Sequence, residues 1–475
     1  MGPFVAGVDS STQSVKVLVV SADTGRVVAE GRAPHTVTAG GAARESDPRD
    51  WWRALGEALA DCGDAVRQVA AVSVAGQQHG LVTLDRHGEP VRPALLWNDV
   101  RSAPQRERLL AELGGAKAWA LRTGSVPAPS FTVTTWAWLR EHEPGAAAAT
   151  AAVRLPHDYL TERLTGTAVT DRGDASGTGW WDARGEVYDE ETLAHVGLPS
   201  DRLPRVLRPG EAAGTVQAGL PLPRGALVAA GTGDNMAAAL GLGLRPGQPV
   251  LSLGTSGTVY AVCEERPADP TGTVAGFADA RGDWLPLACT LNCTQAVDRF
   301  AALLGRSREE VEAGSTAVVL PFLDGERTPH LPHASGLLTG LRHDTTPGQL
   351  LQCAYDGAVY ALLTALELVT GTRGEPGAPL LLIGGGARGA AWRETVRRLS
   401  GRPVQVPRAQ EVVALGAAAQ AAGLLLGEDP AAVARRWGTA KGRRYEAVDR
   451  DDGALERISA TLRDAGTLLR RGPGG

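Results

Sequence analysis

No stretch of this 475-residue chain approaches the roughly 18 consecutive apolar residues that a bilayer-crossing helix needs, so no membrane partner is expected. The opening Met1–Val8 has neither a basic cluster nor a long apolar run. A secretory signal is therefore not expected, and the cytoplasm is the default setting. Basic residues are outnumbered, 48 Lys and Arg against 53 Asp and Glu, for a net charge of −5. That balance argues against a general nucleic-acid or membrane-surface binder. Cysteine is sparse and odd in number: Cys62, Cys263, Cys289, Cys293 and Cys353. Reduced, buried thiols are expected. Cys289 and Cys293 have the spacing to share a helix face, yet no second pair or nearby His completes a metal site. One phosphate signature is missing as well: without GxxxxGK[ST] the chain is not an ordinary P-loop kinase.

What is present is a chain too long for one core, which implies two or three domains. Phe4–Val8 and Val15–Val20 are apolar, β-branched runs around the small polar residues Asp9 to Ser14, a hairpin signal. A similar unit recurs from Leu251 to Tyr260, with Thr255 placed in its turn as Thr12 is in the first. The repetition suggests two copies of one domain topology, with two phosphate-facing hairpins opposed across a cleft. The spacing predicts strands at Val66–Val74, Gly225–Ala230 and Pro379–Ile383. Helices are predicted at Arg106–Arg122, Thr134–Glu143, Met236–Leu240, Leu350–Thr370, Ala387–Leu399, Ala414–Leu426 and within Asp451–Arg471. Ala-rich Gly145–Ala152 is expected to be a surface connection, although alanine could also extend the preceding helix, and Gly472–Gly475 are expected to fray. A boundary near residue 245 divides residues 1–244 from 245–475.

Small residues in the first turn leave backbone N–H groups open to phosphate oxygens, and the Thr12 hydroxyl adds a donor. Asp9 beside it can hold the Mg²⁺ that accompanies ATP. Gly254 and Thr255 repeat this logic. Gly384-Gly385-Gly386-Ala387 lies between a predicted strand and helix, where a side-chain-free loop can receive a phosphate or ribose. Gln77-Gln78-His79-Gly80 and Trp97-Asn98-Asp99 follow apolar runs and offer amide, imidazole, carboxylate and aromatic groups of the kind that recognise a polyol. Trp97 is also expected to pack in the core. Asp234 follows Gly231 and Gly233 at a predicted strand end, open to a cleft. It is the candidate base for a hydroxyl attacking a phosphorus, and, standing with Asn235 before Met236–Leu240, Asp234 can equally cap that helix.

In order and spacing these motifs resemble the FGGY carbohydrate kinases, and within them those acting on D-xylulose. The resemblance runs through Ala75–Gly80, Leu95–Asp99, Leu155–Leu160, Asp174–Trp181, Gly231–Asn235, Leu251–Gly257, Leu320–His330 and Ile383–Trp392. Phe322-Leu323-Asp324-Gly325-Glu326-Arg327-Thr328-Pro329-His330 is long enough to be specific alone. The resemblance implies two ribonuclease-H-like domains of the actin/hexokinase type, α/β in class, closing around ATP and sugar. Residues 1–244 would bind the sugar and carry the base, and residues 245–475 would bind the nucleotide. It implies Asp234 as proton acceptor, Gln78, His79 and Asn235 at the sugar, and Asp9 as the essential acid of the first hairpin. Thr12 and Thr255 fall on the phosphate hairpins, and Gly385, Gly386 and Ala387 on the nucleotide pocket.

Three positions depart from the family pattern. Ser11 stands where many members have Gly, Gln78 where some have Met, and Val133-Thr134-Thr135 where a Pro-Lys pair is common. A glycerol kinase would carry Arg-Glu at His79-Gly80. Another ketose or polyol remains a competing substrate. A non-enzymatic, actin-like ATP-binding protein would need the hairpins but not the sugar motifs. The partners expected are sugar and ATP, with room for a homodimer.

Overall fold

A computed structural model describes residues 2–217, 219–371 and 377–471. Gly472–Gly475, expected to fray, lie outside the described residues. The chain forms two compact units: Met1–Leu244 with Cys263–Leu285 and Glu411–Ala440, and Arg245–Val262 with Pro286–Gln410 and Lys441–Gly475. Two segments from the second half of the sequence thus belong to the first unit.

In the first unit the sheet runs Ala212–Thr215, Leu227–Ala229, Val69–Gly76, Phe4–Ser10, Ser14–Ser21, Val27–Pro34. Phe4–Ser10 pairs antiparallel with Ser14–Ser21 and parallel with Val69–Gly76, which pairs parallel with Leu227–Ala229. Val5, Ala6 and Val8 are all fully buried, as near-continuous apolar strands covered on both faces must be. Helix Pro48–Asp61 starts at Asp47, whose carboxylate accepts from Arg49 N at 2.9 Å, and buries Trp51, Leu55 and Leu59 at helical spacing. Helix Val412–Leu426 packs directly on the strand backbone. A Cβ on Gly7 would lie 2.0 Å from the Ala414 carbonyl oxygen, so only glycine allows this approach.

In the second unit the order is Trp284–Thr290, Gly257–Ala261, Pro249–Leu253, Leu380–Ile383, Val404–Pro407, Gly442–Tyr445. The first three strands are antiparallel neighbours, and Pro249–Leu253, Leu380–Ile383 and Val404–Pro407 are parallel. Three antiparallel strands followed by two parallel ones is the same succession as in the first unit. The fold is therefore two copies of the ribonuclease-H-like arrangement, as the paired turns suggested. Helix Pro347–Thr370 opens on a reciprocal cap between Thr346 and Gln349. It corrects one sequence expectation, being long and apolar enough to cross a bilayer by length and composition. Its most apolar window is 67% buried inside the protein, as befits a core helix.

Other boundaries moved for local reasons. The predicted helix Arg106–Arg122 is two helices, Ala103–Glu112 and Gly115–Thr123, broken where Gly114 and Gly115 adopt φ of 88° and 78°. The Ala-rich connection contains a helix, Pro144–Ala149, begun by proline at its first position. Cys289 ends in strand Trp284–Thr290 while Cys293 precedes helix Thr294–Leu303, so the two share no helix face. Cys263 and Cys289 are half-buried rather than buried.

Candidate active site

Parallel strands release their C-terminal ends on one edge of a sheet, where the next residues become available to a ligand. In the first unit three such ends converge. Asp9 and Thr232 both stand in register with Ala75, on opposite sides of the strand that carries it. Ser10 and Gly233 likewise flank Gly76, and Gln77 and Gln78 follow directly. The parallel pairing thus brings Asp9, Gln78 and Asp234 to one place from distant parts of the sequence. Strand Phe4–Ser10 is longer than predicted, so Asp9 is a strand residue and the turn is only Ser11–Gln13.

Asp234 is the first residue of helix Asp234–Gly241, and Gly233, not Asp234, occupies the N-cap. Its Oδ1 accepts from Asn235 N at 2.8 Å and from Asn235 Nδ2 at 2.9 Å. The same Nδ2 donates to Gln78 Oε1 at 3.0 Å, so one amide joins the candidate base to the candidate sugar motif. Desolvation, then the charge of Asp9, pushes the Asp234 carboxyl up to about 7, with the Asn235 bonds opposing. The Gln78 Nε2 and both polar side-chain atoms of Gln77 are buried with no hydrogen-bond partner among the described residues. Unpaired buried amides are costly and are satisfied by something else, here a ligand or water.

His79 has φ of 66°, a left-handed conformation that costs a non-glycine residue on the order of 1–3 kcal/mol. Its surroundings enforce it. Thr132 Oγ1 donates to the His79 carbonyl at 3.1 Å, and the ring stacks on Phe131 with centroids 4.4 Å apart. Nδ1 lies 2.7 Å from the Gly177 carbonyl, and since a carbonyl only accepts, Nδ1 carries the proton. Phe277 approaches the same ring at 5.6 Å. Gly177 lies in the family-matching stretch Asp174–Trp181 and Phe131 just before Val133-Thr134-Thr135, but neither was given a role, and Phe277 was not singled out at all.

Asp9 is buried, with 6% exposure, opposite Lys16 across the hairpin. Lys16 Nζ lies 4.0 Å from Asp9 Oδ2 and 2.6 Å from Glu411 Oε2. Burial pushes Asp9 up to about 6, Lys16 pulls it down and Glu411 adds to the rise. Lys16 was missed by the motif reading, although the hairpin register places it directly across from Asp9.

The second sugar segment divides. Trp97 is 38% exposed rather than a core residue, and its Nε1 donates to Thr12 Oγ1 at 3.0 Å. That leaves the Thr12 hydroxyl proton to donate elsewhere. Asp99 is a correction: it is 1% exposed and accepts from Arg44 N, Arg101 N and the Arg101 guanidinium. Its carboxylate is spent on holding this loop together, not on a substrate.

The second unit repeats the edge geometry. The turn Gly254-Thr255-Ser256 follows strand Pro249–Leu253, and Thr255 is exposed. Gly254 O accepts from Thr294 N and Oγ1, docking the turn on a helix start. Gly384, at φ 82°, follows the neighbouring strand, and Gly385–Arg388 forms a 3₁₀ turn. A Cβ on Gly386 would lie 2.9 Å from Leu253 Cβ, whereas among the described residues, chain neighbours aside, nothing stands within 4 Å of one on Gly385. Gly385 thus offers open space, Gly386 serves packing, and Ala387 is buried. Glu326, in the long specific motif, accepts from Leu291 N at 2.6 Å and Asn292 Nδ2 at 3.0 Å, fixing the loop between Thr290 and Thr294.

Comparison with known proteins places the chain in a family. The FGGY carbohydrate-kinase N-terminal domain matches residues 4–241 and the C-terminal domain residues 250–424. A xylulose kinase of Streptomyces rubiginosus is 74% identical over 475 residues, covering 100% of this chain and 98% of that protein. One from Streptomyces coelicolor is 73% identical over 472 residues, 99% of this chain and 98% of the relative. The crystal structure of a xylulose kinase from Bifidobacterium adolescentis aligns with a TM-score of 0.84 at 35% identity, covering 97% of this chain and 99% of that one. With both domain types in sequence and two ribonuclease-H-like copies in structure, the chain belongs to the FGGY family of carbohydrate kinases.

Proposed function

We propose that this chain transfers the γ-phosphoryl group of ATP to the terminal hydroxyl of D-xylulose, giving D-xylulose 5-phosphate and ADP by direct in-line displacement. Near-identity in length and 74% identity to a xylulose kinase support the substrate. The observation that carries the chemistry is the Gln78–Asn235–Asp234 chain of side chains at converging strand ends. Asp234 takes the proton of the sugar hydroxyl as its oxygen bonds to phosphorus and the bond to ADP breaks. A carboxyl raised to about 7 is a better proton acceptor than an ordinary one while still being largely ionised above neutrality. Gln78, His79 and Asn235 recognise the sugar hydroxyls. Thr12, with Trp97 behind it, Gly254 and Thr255 meet phosphates, and Gly385, Gly386 and Ala387 form the nucleotide loop. Residues 1–244 thereby carry sugar and base, and residues 245–475 the nucleotide.

Asp9 suits the Mg²⁺ that accompanies ATP. It is a buried carboxylate whose pKa is raised despite Lys16, so a further cation is favourable beside it. Mg²⁺ takes one or two carboxylates and fills the rest of its shell with water and phosphate. When bound, it neutralises charge on the phosphate oxygens. Asp9 would hold it, directly or through water.

A coupled ADP-release assay over ketoses and polyols tests the reading. D-Xylulose should be turned over best, and far faster turnover of glycerol or L-ribulose would overturn it. A cytoplasmic setting goes with the proposal, as does a homodimer, which sedimentation velocity reads directly.

A further inference from the structure

Beneath the base loop lies a fully buried charge cluster that the phosphoryl transfer itself does not use. His157 opens helix Pro156–Thr165 as its second residue and is 0% exposed. Its Nε2 faces three carboxylates: Asp158 at 3.3 Å, Asp171 at 3.4 Å and Asp174 at 3.3 Å. Asp158 and Asp174 are 0% exposed and Asp171 is 3% exposed. Asp171 also caps the short helix Arg172–Ala175, accepting from Gly173 N and Asp174 N, both at 2.9 Å. Its Oδ2 receives one more bond, from Thr232 Oγ1 at 2.7 Å. Thr232 lies two residues before Asp234. The histidine ring also reaches the loop directly: a Cβ on Gly231, at φ 80°, would meet His157 Nδ1 at 2.7 Å. From another side Gln420 Nε2 donates to Gly231 O at 3.0 Å.

We propose that the chain Thr232–Asp171–His157 is a positioning device, holding the Gly231–Gly233 backbone and through it the Asp234 carboxylate in line with the sugar hydroxyl. This rests on reading Asp234 as the base. The cluster is built around a cation. Burial pushes Asp158 up and Asp174 well up, towards the neutral acid, and an imidazolium facing them offsets the carboxylate charge that remains, which a neutral ring would leave without counter-charge. Burial alone would lower the His157 pKa, but Asp158, Asp171 and Asp174 outweigh it and push it up to about 9. The charged groups beyond this shell are Arg154, ion-paired with Glu162, and Asp234 itself, whose charge bears on Asp174. Base and cluster are thus linked by a hydrogen bond through Thr232 and electrostatically through Asp174.

Thr232 separates this role from folding, because Thr232→Val keeps the shape and removes only the donor to Asp171. The full-length chain with Thr232→Val, Thr232→Ser, His157→Gln, His157→Lys and Asp234→Asn should be compared for kcat, both KM values and melting temperature. Misplacement of reacting groups remote from the chemistry costs about 10²-fold in rate, so Thr232→Val should lower kcat by about that factor with both KM values kept. Thr232→Ser restores the hydroxyl and should restore kcat. His157→Lys keeps the cation and should retain more activity than His157→Gln. If His157→Gln does not fold, the Thr232 pair decides. A folded Thr232→Val with wild-type kcat, or Thr232→Ser as impaired as Thr232→Val, overturns the inference. Turnover retained in Asp234→Asn would instead remove the base reading on which it stands.

Discussion

The charge of Asp9 raises the pKa of Asp234, because the strands leading to them flank Val69–Gly76 from opposite sides. A pH prediction follows directly. The base works only when ionised, and its carboxyl is raised to about 7, so kcat/KM should fall as pH drops through that value. Asp9→Asn removes a neighbouring negative charge and should move this acid limb to lower pH, whatever it does to the maximal rate. A limb in the ordinary carboxylate range in the wild type, or one unmoved in Asp9→Asn, contradicts the coupling.

Asn235 joins Gln78 to Asp234 through one nitrogen. Asn235→Ala leaves both acceptors short of a donor and should weaken sugar binding by about 1–3 kcal/mol while ATP binding is kept. Isothermal titration with each ligand separates the two. Equal losses for sugar and ATP would point to a general disturbance of the fold.

Gly385 and Gly386 differ in what surrounds them. Among the described residues, chain neighbours aside, nothing lies within 4 Å of a Cβ on Gly385, while one on Gly386 meets Leu253 and Thr294 at 2.9 Å. Gly385→Ala should therefore leave the melting temperature unchanged yet raise the KM for ATP. Gly386→Ala should lower the melting temperature. The reverse pattern would take Gly385 out of the nucleotide loop.

Asp9, Gln78 and Asp234 were legible in the sequence because each follows a short apolar strand and is set among small residues, a local signal. The two hairpin turns announced the duplication for the same reason. Lys16 was legible only through the hairpin register. What escaped was long-range. Glu411 reaches Lys16 from just before a helix that joins the first unit late in the chain, and Gln420 reaches Gly231 from within it. Phe277 reaches His79 from another such segment. Asp99 looked like a sugar ligand because nothing local reveals that Arg44 and Arg101 consume its oxygens.

The same late helix gives a stability prediction. Gly416 crosses the base-bearing helix so closely that a Cβ would lie 1.7 Å from the Ala237 carbonyl oxygen, and Gly241 meets Val412 O at 2.0 Å. Neither backbone can yield without parting the helices. Gly416→Ala should cost about 1–3 kcal/mol, the range for overpacking, seen as a lower melting temperature. Because Ala237 shares a helix with Asp234, kcat should fall as well. An unchanged melting temperature would show that the two helices are free to separate.

The central claim is that Asp234 accepts the proton of the attacking sugar hydroxyl. Asp234→Asn keeps the side-chain shape and the acceptor for Asn235 but cannot take a proton. Turnover of D-xylulose, followed by ADP release, should fall by about 10²–10⁴-fold, the usual contribution of a positioned base. Calorimetry on the same protein should still record binding of sugar and of ATP. Near-normal turnover by folded Asp234→Asn would contradict the account.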